Sequence, residues 1–127
     1  FYTVLTYDGI AAWLPETPAA SELRDAFNRH QRTDKGFGPA AGPDATKVLG
    51  KAFEDRGYTT IVAKSPWILD DGFIELRRET DRGWVGAVVE ADGLTVEDGE
   101  AWLDGRANDP DAVTIVGHAD LLALPPA

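Results

Sequence analysis

Hydrophobic and polar positions follow two different periods along this chain, and the changes between them separate strands from helices. Residues 1 to 7 are rich in aromatic and β-branched side chains and predict a first strand, which ends at the turn pair Asp8-Gly9. Residues 58 to 63 predict a second strand, which ends at Ser65-Pro66 because proline cannot donate to a strand ladder. Residues 112 to 124 predict one long final strand.

Helical periodicity predicts the elements between the first two strands. The first helix covers residues 19 to 32, where Leu23, Phe27 and His30 lie on one face. The second helix covers residues 42 to 57, with a proline in its first turn and a glycine at its end.

Two further helices precede the last strand. One covers residues 73 to 90, and because glycine lowers helix propensity we expect its Gly83 and Gly86 to pack closely against a neighbouring element. The other begins at Thr95, which forms a capping box with Asp98, and runs through residue 103. Strands that alternate with helices in this way indicate an α/β domain.

The three predicted strands leave one edge of the sheet exposed. A sheet this small normally continues into further strands. The chain also lacks methionine and begins inside the first strand. Residues 1 to 127, which form a single domain by length and composition, are therefore predicted to be part of a longer protein.

Charge and composition narrow the range of functions. The 22 acidic and 12 basic residues give a net charge of −10, which repels phosphodiester backbones and argues against nucleic-acid binding. No apolar run approaches the roughly 20 residues of a membrane span. The absence of cysteine agrees with a reducing cytoplasm. We expect a cytoplasmic protein with a small-molecule ligand or a basic partner, and no contact with nucleic acid or membrane.

Residues 28 to 43 carry the densest candidate chemistry. Charged and amide side chains run into a loop that contains glycines, prolines and Phe37. Glycine lets the backbone approach another molecule closely. The segment predicts a ligand-binding loop, and a solvated helix end followed by a turn is the alternative.

Five short segments follow one another along the chain: Tyr7-Asp8-Gly9, residues 28 to 39 (NRHQRTDKGFGP), Ser65-Pro66-Trp67, Gly83-Trp84 with Glu90, and residues 116 to 123 (VGHADLLA). In order and spacing they resemble the C-terminal half of bacterial class I S-adenosylmethionine-dependent methyltransferases. The resemblance covers nearly the whole chain. Its most specific parts are HQRTDKGFGP and GHADLLA.

The resemblance implies a Rossmann-like sheet of seven strands, of which this chain supplies strands five to seven with flanking helices. Residues 1 to 7 would be strand five, residues 58 to 64 strand six, and residues 112 to 124 strand seven, antiparallel and inserted between the other two. It also implies methyl transfer from S-adenosylmethionine to a small-molecule acceptor. Such a transfer needs alignment and exclusion of water more than a covalent enzyme nucleophile.

The chain departs from the family in its cofactor-binding parts. The glycine-rich loop and the acidic residue for the ribose hydroxyls belong to the N-terminal half, and neither is present. Gly36 and Gly38 do not replace the loop, because no strand precedes them and the prolines that follow have no N–H. The cofactor-binding residues are therefore unknown, and we expect this chain alone to be inactive. The N-terminal half of the same protein, or a homo-oligomer partner, would cover the first strand.

The resemblance assigns the substrate side of the site to this chain. Ligands of open α/β sheets lie beyond the carboxyl ends of parallel strands. The implied substrate-binding residues are Tyr7, Asp8, Asn28, Gln31, Arg32, Asp34, Lys35 and Phe37. His30 is the candidate general base, because an imidazole titrates near neutral pH. A structural histidine on the helix face is the alternative.

Other candidates are interpreted as structural. His118 and Asp120 lie on one face of the last strand, and without an evident third ligand they predict a buried structural hydrogen bond rather than a metal site. Trp67, Trp84 and Trp102 are predicted to anchor the core or an interface. No metal is predicted.

A second class of function stays open. A non-catalytic binding or assembly module could complete its sheet by pairing the first strand with a partner chain. A hydrolase is disfavoured, because Ser65 does not lie in a G-x-S-x-G turn.

Overall fold

The computed structural model describes all residues from Phe1 to Ala127. The strands are β1 (Tyr2–Leu14), β2 (Thr59–Lys64), β3 (Trp67–Leu69) and β4 (Val113–Leu124). The helices are α1 (Ala20–His30), α2 (Ala45–Glu54), α3 (Ile74–Glu90) and α4 (Val96–Ala107). Short 3₁₀ turns at Gly42–Asp44 and Asp71–Phe73 lead into α2 and α3. None of the four helices has the length and apolar character that crossing a membrane requires.

β4 is the central strand of the sheet. The strand order is β1-β4-β2, and β4 is antiparallel to both neighbours. β3 also pairs with β4, farther along that strand. β1 and β2 therefore run parallel to each other with β4 between them, and the predicted α/β class is confirmed.

β1 continues past Asp8-Gly9, where the sequence predicted its end. Its pairing with β4 shifts register between Tyr7 and Ala11 and then resumes. The intervening residues form a bulge in which Gly9 adopts a φ of +89°. The prediction was wrong because a turn pair inside a strand can be absorbed as a bulge when the residues beyond it are buried, as Ala11 and Trp13 are.

A fourth strand, β3, follows the break at Ser65-Pro66. The predicted end of β2 is confirmed, since the strand stops at Lys64. The prediction of only three strands is wrong, because the chain returns to β4 at Trp67 and pairs over three residues. So short a strand shows no periodicity in the sequence.

Aromatic side chains from β1, α1 and α3 form the centre of the core. The Trp84 ring lies 5.1 Å from that of Trp13, edge to face, and stacks on Phe27 at 3.6 Å. Edge-to-face pairs contribute about 0.5–1.5 kcal/mol beyond the buried area. The predicted core roles of Trp84, Trp67 and Trp102 are confirmed, the last two as half-buried neighbours of the cluster. Trp13, only 1% exposed, was not predicted.

The close contact between α3 and α4 uses a different glycine from those expected. Gly83 and Gly86 face open space, so the predicted packing of these two residues is wrong. On α4, a Cβ added to Gly99 would lie 2.6 Å from Val85 Cγ1. Gly99 is therefore the residue that lets the two helices approach each other.

α4 begins where the sequence predicted and ends one turn later. Thr95 Oγ1 accepts the N–H of Asp98 at 3.1 Å and donates to the carboxylate of the same residue at 2.8 Å. The helix continues to Ala107. Its last turn is held by Arg106, whose side chain enters the core.

Two arginines and one aspartate are buried where α3, α4 and the sheet meet. Asp81 accepts hydrogen bonds from Arg106 Nε at 3.1 Å and from Thr114 Oγ1 at 2.6 Å. Arg106 also donates to main-chain carbonyls at the end of β1 and the start of β4. Arg77 Nη1 lies 3.7 Å from the same carboxylate and donates to the Arg106 carbonyl. This network fastens both helices to the sheet.

β1 forms one edge of the sheet and is unusually apolar on its exposed positions. It pairs with β4 on one side and with no strand on the other. Its exposed apolar side chains are 39% to 65% accessible and are Tyr2, Val4, Leu5, Ile10 and Leu14. An unpaired edge of this kind offers free N–H and C=O groups to another strand.

Candidate functional site

The bulge of β1 places Asp8 directly over β4. A Cβ added to Gly117 of β4 would lie 2.1 Å from Asp8 Oδ1 and 2.7 Å from Ile10 Cβ. Glycine is therefore required at position 117, although glycine weakens the interior of a strand. Gly117 was not predicted as a site residue. The signal that could have identified it is its isolated position within a strand pattern, which suggests a close approach of another segment.

Tyr7 and Asn28 join the bulge to the end of α1. The Tyr7 hydroxyl donates to Asn28 Oδ1 at 2.7 Å, and Asn28 Nδ2 donates to the Gly9 carbonyl at 3.1 Å. Burial raises the pKa of Tyr7 well above its ordinary range, and the Asp8 carboxylate beside it raises it further. The phenol therefore stays protonated and acts as a donor. On the other side of the bulge, a Cβ on Gly9 would lie 2.9 Å from Pro43 Cβ.

Asp8 has charged and main-chain partners within the chain. Lys64 Nζ donates to Oδ2 at 2.6 Å, and the Ile10 N–H donates to Oδ1 at 3.0 Å. The Asp8 side chain is 9% exposed, whereas that of Lys64 is 65% exposed. Lys64 was not predicted, because it reaches the bulge from β2, across the sheet. The carboxylate is thus fixed in position and points toward the groove between α2 and β2.

Asp34 closes the loop that carries Phe37. Its Oδ1 accepts the N–H groups of Gly36 at 2.7 Å and Gly38 at 2.9 Å. Both glycines have positive φ, at 106° and 90°, and Phe37 between them is fully exposed. The loop is therefore ordered by its own hydrogen bonds, and the two glycine N–H groups are already occupied.

His30 lies between the ends of α1 and α3, in a different cavity from Asp8. Its Nε2 is 3.6 Å from Glu90 Oε2, and its Nδ1 is buried without a hydrogen-bond partner. The cavity has a volume of about 480 Å³ and is also lined by Asp34 and Lys35. An imidazole beside a carboxylate can accept or release a proton. The role of His30 as a general base stays a prediction.

Gln31 and Arg32 belong to the base of the loop. Gln31 is the C-cap residue of α1. Arg32 Nη2 donates to Asp44 Oδ2 at 2.9 Å, and its Cγ lies 2.8 Å from the position of a Cβ on Gly42. These contacts hold the turn between α1 and α2.

The predicted site residues do not form a single cluster. Three of them meet at the β1 bulge, and these are Tyr7, Asp8 and Asn28. The other six lie along the end of α1 and its loop. The bulge is thus the place where sequence prediction and geometry agree best.

Asp120 binds β1 and the turn after β2 instead of pairing with His118. Its Oδ1 accepts from Ser65 Oγ at 2.6 Å and from the Leu5 N–H at 2.9 Å. The hydrogen bond from Ser65 contributes most, and that from Leu5 contributes next, to holding the pKa of Asp120 below its ordinary value. Leu5 adopts a φ of +55°, which is strained for leucine. His118 packs edge to face on Trp67 and its Nδ1 has no partner, so the predicted hydrogen bond of this histidine is not formed.

The side chains bring no group of three or more potential metal ligands together. No protein-family model matches the chain and no curated protein matches it. The function proposed next therefore rests on the residues and their geometry.

Proposed function

We propose that the chain supplies the substrate side of an S-adenosylmethionine-dependent methyltransferase that acts on a small molecule in the cytoplasm. The observation that carries the proposal is the strand order, in which β4 runs antiparallel between two strands that are parallel to each other. This is the order that the methyltransferase resemblance implies for strands five, seven and six. Short sequence motifs do not dictate strand order, so the topology is a separate support for the proposal.

The β1 bulge gives a second support. Methyl transfer requires an acceptor that is held in line and shielded from water. At the bulge, the protonated Tyr7 phenol, the Asn28 amide and the Gly9 carbonyl form a fixed series of hydrogen bonds. The neighbouring Asp8 lines the groove between α2 and β2, and an acceptor would lie in that groove beside the network.

The residues of this chain do not fit the cofactor. The Gly36 and Gly38 N–H groups are bound by the Asp34 carboxylate, and Pro39 and Pro43 have no N–H to donate. The cofactor carries the transferable methyl group on a sulfonium. We expect a second half of the domain, joined to this chain or contributed by a partner, to hold it.

The free edge of β1 is the surface on which that half would pair. Val4, Leu5 and Ile10 are each 44% to 56% exposed along this edge. Burial of such side chains contributes about 1.5–3 kcal/mol each. A parallel strand from the cofactor-binding half would satisfy the free main-chain groups and cover these residues together.

Calorimetry with S-adenosylhomocysteine tests the proposal. The product of the full-length gene should bind it, whereas the 127-residue chain should not. Asn28→Ala in the full-length protein should reduce methyl transfer while cofactor binding is kept. Asp71→Asn, an exposed substitution in the turn before α3, is the control and should change neither. A full-length protein that binds neither the cofactor nor its demethylated product would overturn the proposal.

A non-catalytic assembly module is the second candidate, and the apolar edge of β1 favours it. Such a protein would form a stable complex through β1 without binding the cofactor. Val4→Lys would place a charge on that edge and should dissociate the complex in light-scattering measurements. Loss of the complex together with absent cofactor binding in the full-length protein would favour this candidate over the methyltransferase.

A further inference from the structure

A groove beside α2 contains most of the lysines of the chain. It has a volume of about 530 Å³ and lies between α2 and β2. We call it the lysine groove, and the residues that matter for its chemistry are Lys47, Lys51, Lys64, Thr46, Gly50 and Val62. Three of the four lysines in the sequence line it, in a chain whose net charge is −10. The carboxylates of Asp8 and Glu54 line the same groove, so its lysines outnumber its carboxylates by one.

Lys47 has no acidic partner in the structure. The other two lysines are paired, Lys51 with Asp55 at 2.7 Å and Lys64 with Asp8 at 2.6 Å. With 22 acidic residues for 12 basic ones, carboxylates are in excess. Lys47 thus has no acidic partner although acidic residues outnumber basic ones in this chain.

Two further polar residues of α2 face the groove. Thr46 Oγ1 is buried and has no hydrogen-bond partner. The Glu54 carboxylate already accepts a hydrogen bond from Thr60. The wall of the groove thus contains a buried hydroxyl without a partner and an ammonium group without an acidic partner, while both of its lining carboxylates, those of Asp8 and Glu54, are engaged.

Gly50 of α2 lines the groove and has no side chain to fill it. A Cβ added to Gly50 would meet only Leu121 Cδ1, at an ordinary contact distance of 3.8 Å. Packing therefore does not require glycine here, although glycine inside a helix is less favourable than alanine. Ala119 of β4, also small, lines the same groove. The lining of the groove thus includes two small residues, Gly50 and Ala119.

We propose that the lysine groove binds a small molecule through a compact oxyanion, either a phosphate or a carboxylate group. Lys47, the lysine of the groove without an acidic partner, supplies the charge, and the Thr46 hydroxyl donates a hydrogen bond. An ammonium is a compact charge with three donors and suits such a group. Val62 provides an apolar wall for the remainder of the ligand. The inference requires only residues of this chain and does not depend on the proposed methyl transfer.

An NMR titration of the ¹⁵N-labelled 127-residue chain tests the site, with inorganic phosphate and acetate as separate probes. Saturable shifts of the Thr46, Lys47 and Gly50 amides are expected with at least one probe. Saturation by phosphate alone identifies a phosphate ligand, and saturation by acetate alone identifies a carboxylate. The absence of saturable shifts with both probes would overturn the inference, whether or not the full-length protein binds the methyl donor.

Two variants separate a built site from general charge attraction. Lys47→Gln should weaken probe binding about tenfold or more, the usual effect of losing one hydrogen bond to a charged group. Arg82→Gln removes one positive charge on α3, outside the groove, and should leave binding unchanged. Equal losses in these two variants would refute the site. Gly50→Ala should weaken binding while the thermal midpoint stays the same or rises, which excludes unfolding as the cause.

Discussion

Replacing Asp81 by asparagine tests how the helices are fastened to the sheet. Asp81 is 2% exposed, accepts hydrogen bonds from Arg106 and Thr114, and has Arg77 at 3.7 Å. Asparagine has nearly the same shape but carries no charge, and one of its two oxygens is replaced by a donor. Two guanidinium groups would then remain in the core without a carboxylate.

The expected loss is large compared with the stability of a domain. Removing one partner of a buried ion pair costs about 3–5 kcal/mol. The free energy of unfolding of a whole domain is about 5–15 kcal/mol. With a urea dependence of about 2 kcal/mol per molar, the midpoint of unfolding should fall by about 2 M.

Urea unfolding followed by tryptophan fluorescence measures this change, since Trp84 and Trp13 lie in the core. Asp104→Asn, an exposed substitution on α4, is the matched control and should shift stability by less than about 0.5 kcal/mol. Adding Arg77→Met to Asp81→Asn removes one of the two unpaired guanidinium groups and should recover part of the loss. An Asp81→Asn midpoint equal to that of the control would refute the reasoning.

Three smaller perturbations test the β1 bulge and the pairing of the strand. Gly117→Ala should lower the free energy of unfolding, measured in urea, by about 1–3 kcal/mol, because the new Cβ would overlap Asp8. Gly83→Ala should raise the free energy of unfolding by up to about 1 kcal/mol, because Gly83 faces open space in a helix. If Gly83→Ala were the less stable of the two variants, both assignments would be contradicted. Asn28→Ala removes both hydrogen bonds between the bulge and α1 and should cost about 1–3 kcal/mol, so wild-type stability in urea would exclude a structural role for them. Because the pKa of Asp120 is lower in the folded state, its carboxylate contributes stability that is fully present above the unfolded value of 3.8 and is lost as the pH falls through the lower folded value. Asp120→Asn should therefore reduce the acid dependence of the urea midpoint, and an unchanged acid slope would count against the hydrogen bonds to this residue.

The last strand and the third helix were predicted within one residue at each end, whereas the predicted bounds of β1, α2 and α4 were wrong by three to seven residues at one end or both. The last strand was predicted at residues 112 to 124 and is Val113–Leu124, and the third helix was predicted at residues 73 to 90 and is Ile74–Glu90. Their boundaries depend on apolar spacing and caps, which are properties of neighbouring residues. By contrast, β3 has three residues and is a strand only because β4 lies beside it.

The candidate site was predicted in part. The sequence indicated Tyr7, Asp8 and Asn28, and these three meet at the bulge. The sequence also placed His30 and Lys35 in the same site, whereas in the structure these two residues line a different cavity. The reason is that successive side chains at the end of a helix point in different directions. Residues that are adjacent in the sequence of α1 and its loop therefore lie on two different surfaces.

The sequence alone determined the α/β class, the bounds of α3 and β4 to within one residue, and the net charge of −10, because these follow from composition and from periods shorter than about two helical turns. Only the tertiary structure decided that β4 lies between β1 and β2, that Gly117 lies under Asp8, and that three lysines meet in one groove. The buried network shows the reason: Asp81 is 25 residues from Arg106 and 33 from Thr114, and no local pattern records that such distant side chains come within hydrogen-bond distance.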